Sequence, residues 1–129
     1  MSIQTQPHEK ISELLTSISN PVRVQILIAI GKGEACVCHL EALLGLRQAY
    51  ISQHLMALRK QEIITARRDG KYIFYRLVEP EVLDLIRTAG RLAGVSEEAL
   101  VIQDHSNCEC PKCIEGKPSF LPLGDVLTP

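Results

Sequence analysis

A mainly α-helical domain carrying one small β-hairpin is the fold class this chain predicts, and three observations predict it. Apolar residues recur at spacings of three and four in segments ahead of Lys60 and again after Pro80. Between these segments, two short runs rich in β-branched and aromatic residues flank a glycine turn. Asparagine, proline and glycine punctuate the helical segments where caps belong.

The elements follow in order. From His8 to Ser19, Ile11, Leu14, Leu15 and Ile18 form one helical stripe. Asn20-Pro21 restarts a helix, since Asn caps well and Pro is favoured at the first helical position. Val22, Ile26, Leu27 and Ile30 line its buried face, and Gly31-Lys32-Gly33 ends it. A short helix is expected over Cys38 to Leu44, stopped by Gly45. A further helix from Ala49 to Lys60 turns Ile51, Leu55 and Leu58 inward and leaves Gln48, Ala49, Ser52 and Gln53 on or beside its outer face. Two helices joined by a tight glycine-containing turn form a helix-turn-helix, whose second member reads a major groove with its first turns.

The period then changes to two. Residues 63–68 and Tyr72 to Leu77 read as strands around the hairpin signal Asp69-Gly70-Lys71, whose tip offers Arg67, Arg68 and Lys71 to phosphates or a minor groove. Helix-turn-helix plus a basic-tipped hairpin is a winged helix. The helical period returns from Pro80 to Gly94, and a short helical stretch is expected from Ser96 to Gln103. Past Ser106, Pro111, Pro118, Pro122 and Pro129 leave no period. Residues 1–105 therefore read as the winged helix-turn-helix DNA-binding and dimerisation domain, and residues 106–129 as an irregular cysteine-rich tail.

Charge supports a polyanion partner. The net charge is −1, yet the segment from Arg47 to Arg76 holds seven basic and two acidic residues, a local net of +5 against −6 elsewhere. No apolar run reaches the ~20 residues that span a bilayer. No apolar signal segment opens the chain, and its five cysteines are odd in number. These features point to a cytosolic protein with reduced thiols and no membrane contact. With no glycine-rich phosphate loop, Cys/His/Asp triad or paired-carboxylate site, the sequence does not read as an enzyme.

The five cysteines fall into two tight clusters, Cys36 and Cys38, then Cys108, Cys110 and Cys113. A helix N-terminus favours the thiolate form at the first pair. Two thiolates are too few for a closed site: soft cations take three or four sulfurs, tetrahedral for Zn(II) or Cd(II) and trigonal for As(III) or Pb(II). The tail cluster could supply the remainder from the same or the other subunit.

The block Asn20-Pro21-Val22-Arg23-Val24-Gln25-Ile26-Leu27, the element Cys36-Val37-Cys38, the run Ile51-Ser52-Gln53-His54-Leu55 with Leu58, and the run from Arg67 to Leu77 together resemble the ArsR/SmtB metal-sensing repressors, over roughly residues 10 to 95. The resemblance implies a homodimeric winged helix with terminal helices at the dimer interface. It implies binding to double-stranded operator DNA without metal and release when a thiophilic ion (Cd(II), Pb(II), Zn(II) or As(III)) binds as inducer. Two departures stand out. His39 occupies the family's Asp position after the second cysteine, and Glu41 stands where the arsenic branch carries a third cysteine. The terminal-helix zinc site also looks absent, because Pro80 to Gly94 contains no histidine. The expected metal set is therefore Cys36 and Cys38 with Cys108, Cys110 and Cys113, coupled to DNA through the short helix ahead of the recognition helix. His39, Asp104 and His105 read as surface or hydrogen-bonded residues before ligands, and His54 as a structural hydrogen bond. The rival reading is a thiol-redox or persulfide-responsive repressor on the same scaffold, because low-pKa cysteines are also the ones that oxidise.

Overall fold

The computed structural model describes residues 6–102. Five helices and a small three-stranded sheet follow one another as α1 (Pro7–Ile18), α2 (Pro21–Ile30), β1 (Ala35–Cys36), α3 (Val37–Leu44), α4 (Gln48–Lys60), β2 (Ile64–Asp69), β3 (Tyr72–Leu77) and α5 (Glu81–Leu92). A single 3-10 turn, Glu97–Leu100, comes last.

Local chemistry sets most boundaries. The Asn20 side chain accepts from the N–H groups of Val22 at 2.8 Å and Arg23 at 3.3 Å, so α2 starts where its cap predicts. Gly45 closes α3 in the left-handed conformation, with φ 68° and ψ 27°, and accounts for the sharp turn into α4. In the wing, Asp69 pairs with Tyr72, so Gly70 and Lys71 form a two-residue turn. Gly70 has φ 63° at the first central position, where a side chain would be strained.

The main core gathers Ile26, Leu27, Leu40, Ile51, Leu55, Leu58 and Ile64, all essentially buried, from α2, α3, α4 and β2. Helices α3 and α4 thus pack against α2 as one helix-turn-helix unit. A second, smaller cluster lies on the sheet, where Cys36 and Phe74 are buried and Cys38 and Tyr72 pack beside them.

The structure departs from the sequence expectations in two places. Cys36 belongs to a short strand, β1, that pairs antiparallel with β3 in the order β1-β3-β2, so the wing is anchored by a third strand. Of the stretch expected to be helical from Ser96 to Gln103, the described part to Ile102 holds only the four-residue turn, since Ser96 makes no side-chain cap and Val101 is already extended. The α1 stripe forms as expected, and among the described residues much of it is left uncovered: Ile11, Leu14 and Leu15 are 59%, 42% and 44% exposed. The boundary expected at residue 105 and the cysteine-rich tail lie outside the described residues.

Candidate nucleic-acid interface and thiol pair

Helix α4 carries two faces. Ile51, His54, Leu55 and Leu58 are buried, whereas Gln48, Ala49 and Gln53 are exposed and Ser52 is half-buried. The first turns of α4 therefore present small and polar side chains that can approach base edges, as groove reading requires.

What holds that face in place is a pair that the sequence showed only in part. Arg23, on α2, donates from Nε to Nδ1 of His54 at 3.1 Å and from a terminal nitrogen to the Ser17 carbonyl at 2.8 Å. One guanidinium thus ties the end of α1 and the start of α2 to the middle of α4. Tyr50 sets its ring edge-on to His54, with centroids 4.8 Å apart. Nδ1 accepts, so neutral His54 carries its proton on Nε2, a buried atom without a hydrogen-bond partner among the described residues. Burial, and then the nearby Arg23 charge, push the His54 pKa below its ordinary value. The structural role expected for His54 is the one observed. Its partner, 31 residues away, left no local signal.

The wing separates its basic residues by face. Register pairs Arg67 with Phe74 and Arg68 with Ile73, so the two neighbouring arginines point to opposite sides of the sheet. Arg68 and Lys71 are exposed, and the Lys71 ammonium lies 5.5 Å from the Tyr72 ring centroid. Arg67, expected with them at the tip, is turned the other way. Its Nε and one terminal nitrogen donate to the two carboxylate oxygens of Glu34, at 2.7 and 2.8 Å. Its guanidinium carbon lies 4.7 Å from the Phe74 ring centroid. The fork to Glu34, followed by weaker charge effects including Asp69, raises the Arg67 pKa further above its already basic value.

The thiol pair sits where β1 becomes α3. Cys36 is only 2% exposed and caps α3, its Sγ accepting the His39 N–H at 3.3 Å. Such a bond, at the positive end of a helix, stabilises negative charge on sulfur. Cys38, two residues on, is half-buried. Among the described residues no set of three or more His, Cys, Asp or Glu side chains gathers to hold a metal. Asp104, His105, Cys108, Cys110 and Cys113 lie outside the described residues.

Comparison with known proteins accords with this geometry. The family described as "Bacterial regulatory protein, arsR family" matches residues 20–66, from the α2 cap to the middle of β2. A biofilm growth-associated repressor from Agrobacterium fabrum is 36% identical over 91 residues, covering 70% of this chain and 78% of that one. The chain belongs to the arsR family. Within it, the HTH-type transcriptional repressor SmtB of Mycobacterium tuberculosis is 32% identical over 82 residues, spanning 64% of this chain and 61% of that protein. The crystal structure of NolR from Sinorhizobium fredii superposes with a TM-score of 0.61 at 29% identity, covering 74% of this chain and all of that one. This arsR-family chain is accordingly a winged-helix, DNA-binding transcriptional repressor. Among its described residues no helix is long and apolar enough to cross a membrane.

Proposed function

We propose that this repressor binds double-stranded operator DNA as a homodimer and lets go when a thiophilic ion occupies Cys36 and Cys38. The observation that carries the reading is the Cys36 cap: its sulfur accepts a backbone N–H at a helix start, and a second thiol, Cys38, stands two residues on, so both sulfur donors sit at the same helix end. The described residues offer two sulfur donors, which fit a soft ion only when further thiolates join them. Cys108, Cys110 and Cys113 are the proposed source. A bound ion would supply a crosslink between these thiolates. On the DNA side, Gln48, Ala49, Ser52 and Gln53 read bases, while Arg68 and Lys71 on the wing neutralise phosphates. The exposed Ile11, Leu14 and Leu15 of α1, with Leu92 of α5 at 85% exposure, give a second copy apolar surface to cover.

The test is an anaerobic titration of the reduced chain with Cd(II), Pb(II), As(III) and Zn(II), following sulfur-to-metal absorption and operator binding together. Cys38→Ser should keep operator affinity and lose metal-driven release, and ending the chain at Asn107 should lower the sulfur count. Retained release in Cys38→Ser would remove this thiol from the sensory site. The same cap also favours the oxidisable form of Cys36, which supports the second reading, a thiol-redox or persulfide switch. Release of the operator by persulfide or disulfide reagents, with no response to metals, would select it.

A further inference from the structure

We infer that the Glu34–Arg67 pair is the link through which the thiol strand sets the wing, and that Arg67 serves this link rather than a phosphate. The second half stands on the geometry alone; the first rests on the reading of Cys36 and Cys38 as the sensory pair.

The sheet register puts the parts in one row. Cys36 on β1 pairs with Phe74 on β3, and Phe74 pairs with Arg67 on β2. Directly opposed residues share a face, so sulfur, ring and guanidinium line up across the three strands. Phe74 is 1% exposed, which leaves it no room to ignore a change at either neighbour. Glu34 then closes the row into a ring. It stands two residues ahead of Cys36 and takes both hydrogen bonds of the Arg67 fork, at 2.7 and 2.8 Å. A bidentate fork fixes direction as well as distance, and a stacked guanidinium cannot leave its ring without breaking that fork. Occupation of Cys36 or Cys38 changes the packing against Phe74. The ring and fork pass that change to β2 and hence to Arg68, the neighbouring arginine on the other face. Among the described residues no carboxylate pairs with Arg68, which remains available to DNA.

The experiment uses the full reduced chain, with Glu34→Gln, Arg67→Ala, the double variant and Arg68→Ala. Operator affinity is measured against salt without metal. Arg68→Ala should lower the salt slope by about one contact, and Arg67→Ala should leave it unchanged. Glu34→Gln and Arg67→Ala should weaken binding alike, and the double variant no further. A slope lowered by Arg67→Ala, or tighter binding by Glu34→Gln, overturns the proposal, because either result makes Arg67 a phosphate contact that Glu34 merely restrains.

The second arm compares operator affinity with and without Cd(II), alongside sulfur-to-metal absorption. Each latch variant should keep the absorption and reduce the Cd(II)-driven change in affinity by about fivefold or more, within the range of allosteric couplings. A Cd(II) response retained in both variants overturns the link. If the wild-type chain gives no sulfur-to-metal absorption, the sensory reading fails, and the salt slopes and the double variant still decide whether Arg67 is a latch or a phosphate contact.

Discussion

The two hydrophobic clusters of this small domain are built on different terms. The main core is aliphatic and shared by helices, with Ile26, Leu27, Leu40, Ile51, Leu55 and Leu58 closed on every side. The sheet-side cluster is one ring and two sulfurs, bordered by Tyr72, with the cations Arg67 and Lys71 over the aromatic faces. Aliphatic packing gives a unique arrangement with nothing to titrate or ligate. Sulfur, ring and cation give a region whose chemistry an outside reagent can change. The first cluster therefore fixes the recognition helix, and the second joins the thiol pair to the wing.

The sharpest way to break the comparison is to remove one buried side chain from each cluster. Phe74→Ala is expected to cost about 3–5 kcal/mol and Leu55→Ala about 2–5 kcal/mol in denaturant unfolding, since each leaves a cavity. The clusters should separate in a second readout, the rate at which Cys36 reacts with an aromatic disulfide reagent under native conditions. Phe74→Ala should speed it about tenfold or more, because the ring covers the sulfur, and Leu55→Ala should leave it nearly unchanged. Equal acceleration by both would mean that the reagent meets Cys36 through global opening, and that the clusters are one cooperative unit.

A smaller effect tests what the main core holds in place. Gln53→Ala should cost about 1–3 kcal/mol of discrimination between operator variants while non-specific binding changes little. A uniform loss across sequences would make Gln53 a positioning residue.

The helix-turn-helix was legible because its signals are local: the Asn20 cap, the Gly45 stop and the spacing of Ile51, Leu55 and Leu58 each act within a few residues. The wing hairpin was legible for the same reason, through Gly70. Strand β1 was not, because two residues carry no period and pair with a strand almost forty positions on. Nor could sequence tell Arg67 from Arg68. Both are basic and adjacent, and only the register decides that one meets Glu34 while the other faces away. The Arg23–His54 pair escaped for want of any local spacing rule. The thiol pair itself was visible as a motif, but its position opposite Phe74 is a property of the sheet.

The His54 bond offers a test through pH. Its pKa is lowered by the fold, so the neutral form contributes stability that is fully present above the unfolded-state value of about 6.5. That contribution is lost as pH falls from there through the folded-state value. Protonation would set two cationic donors, His54 and Arg23, against each other at Nδ1. His54→Gln keeps an acceptor for Arg23 and removes the titration. Between about pH 7 and 5, the wild-type denaturation midpoint should therefore fall more steeply than that of the variant. Parallel pH profiles would remove His54 from the acid response.

The smallest expected effect lies where the main core hands the chain to the wing. Glu62 ends α4 with φ 60°, the one non-glycine residue with positive φ among those described. Its N–H donates to the Arg59 carbonyl at 2.9 Å, and the Ile63 N–H reaches back to the Leu58 carbonyl at 3.0 Å. These two bonds form the helix ending that glycine normally supplies, with Ile63 and Leu58 making its apolar contact in the core. The left-handed conformation costs a side chain of ordinary shape about 1 kcal/mol, part of which glycine returns through greater freedom when unfolded. Glu62→Gly should therefore stabilise the domain by up to about 0.5–1 kcal/mol, and Glu62→Val should destabilise it, both read from urea midpoints at constant slope. Because Ile63 follows directly and leads into β2, the gain should appear without any change in the thiol reactivity of Cys36. A gain that came with slower Cys36 reaction would show the helix ending and the sheet-side cluster to be coupled, and would move the boundary between the two regions from Ile63 into the sheet.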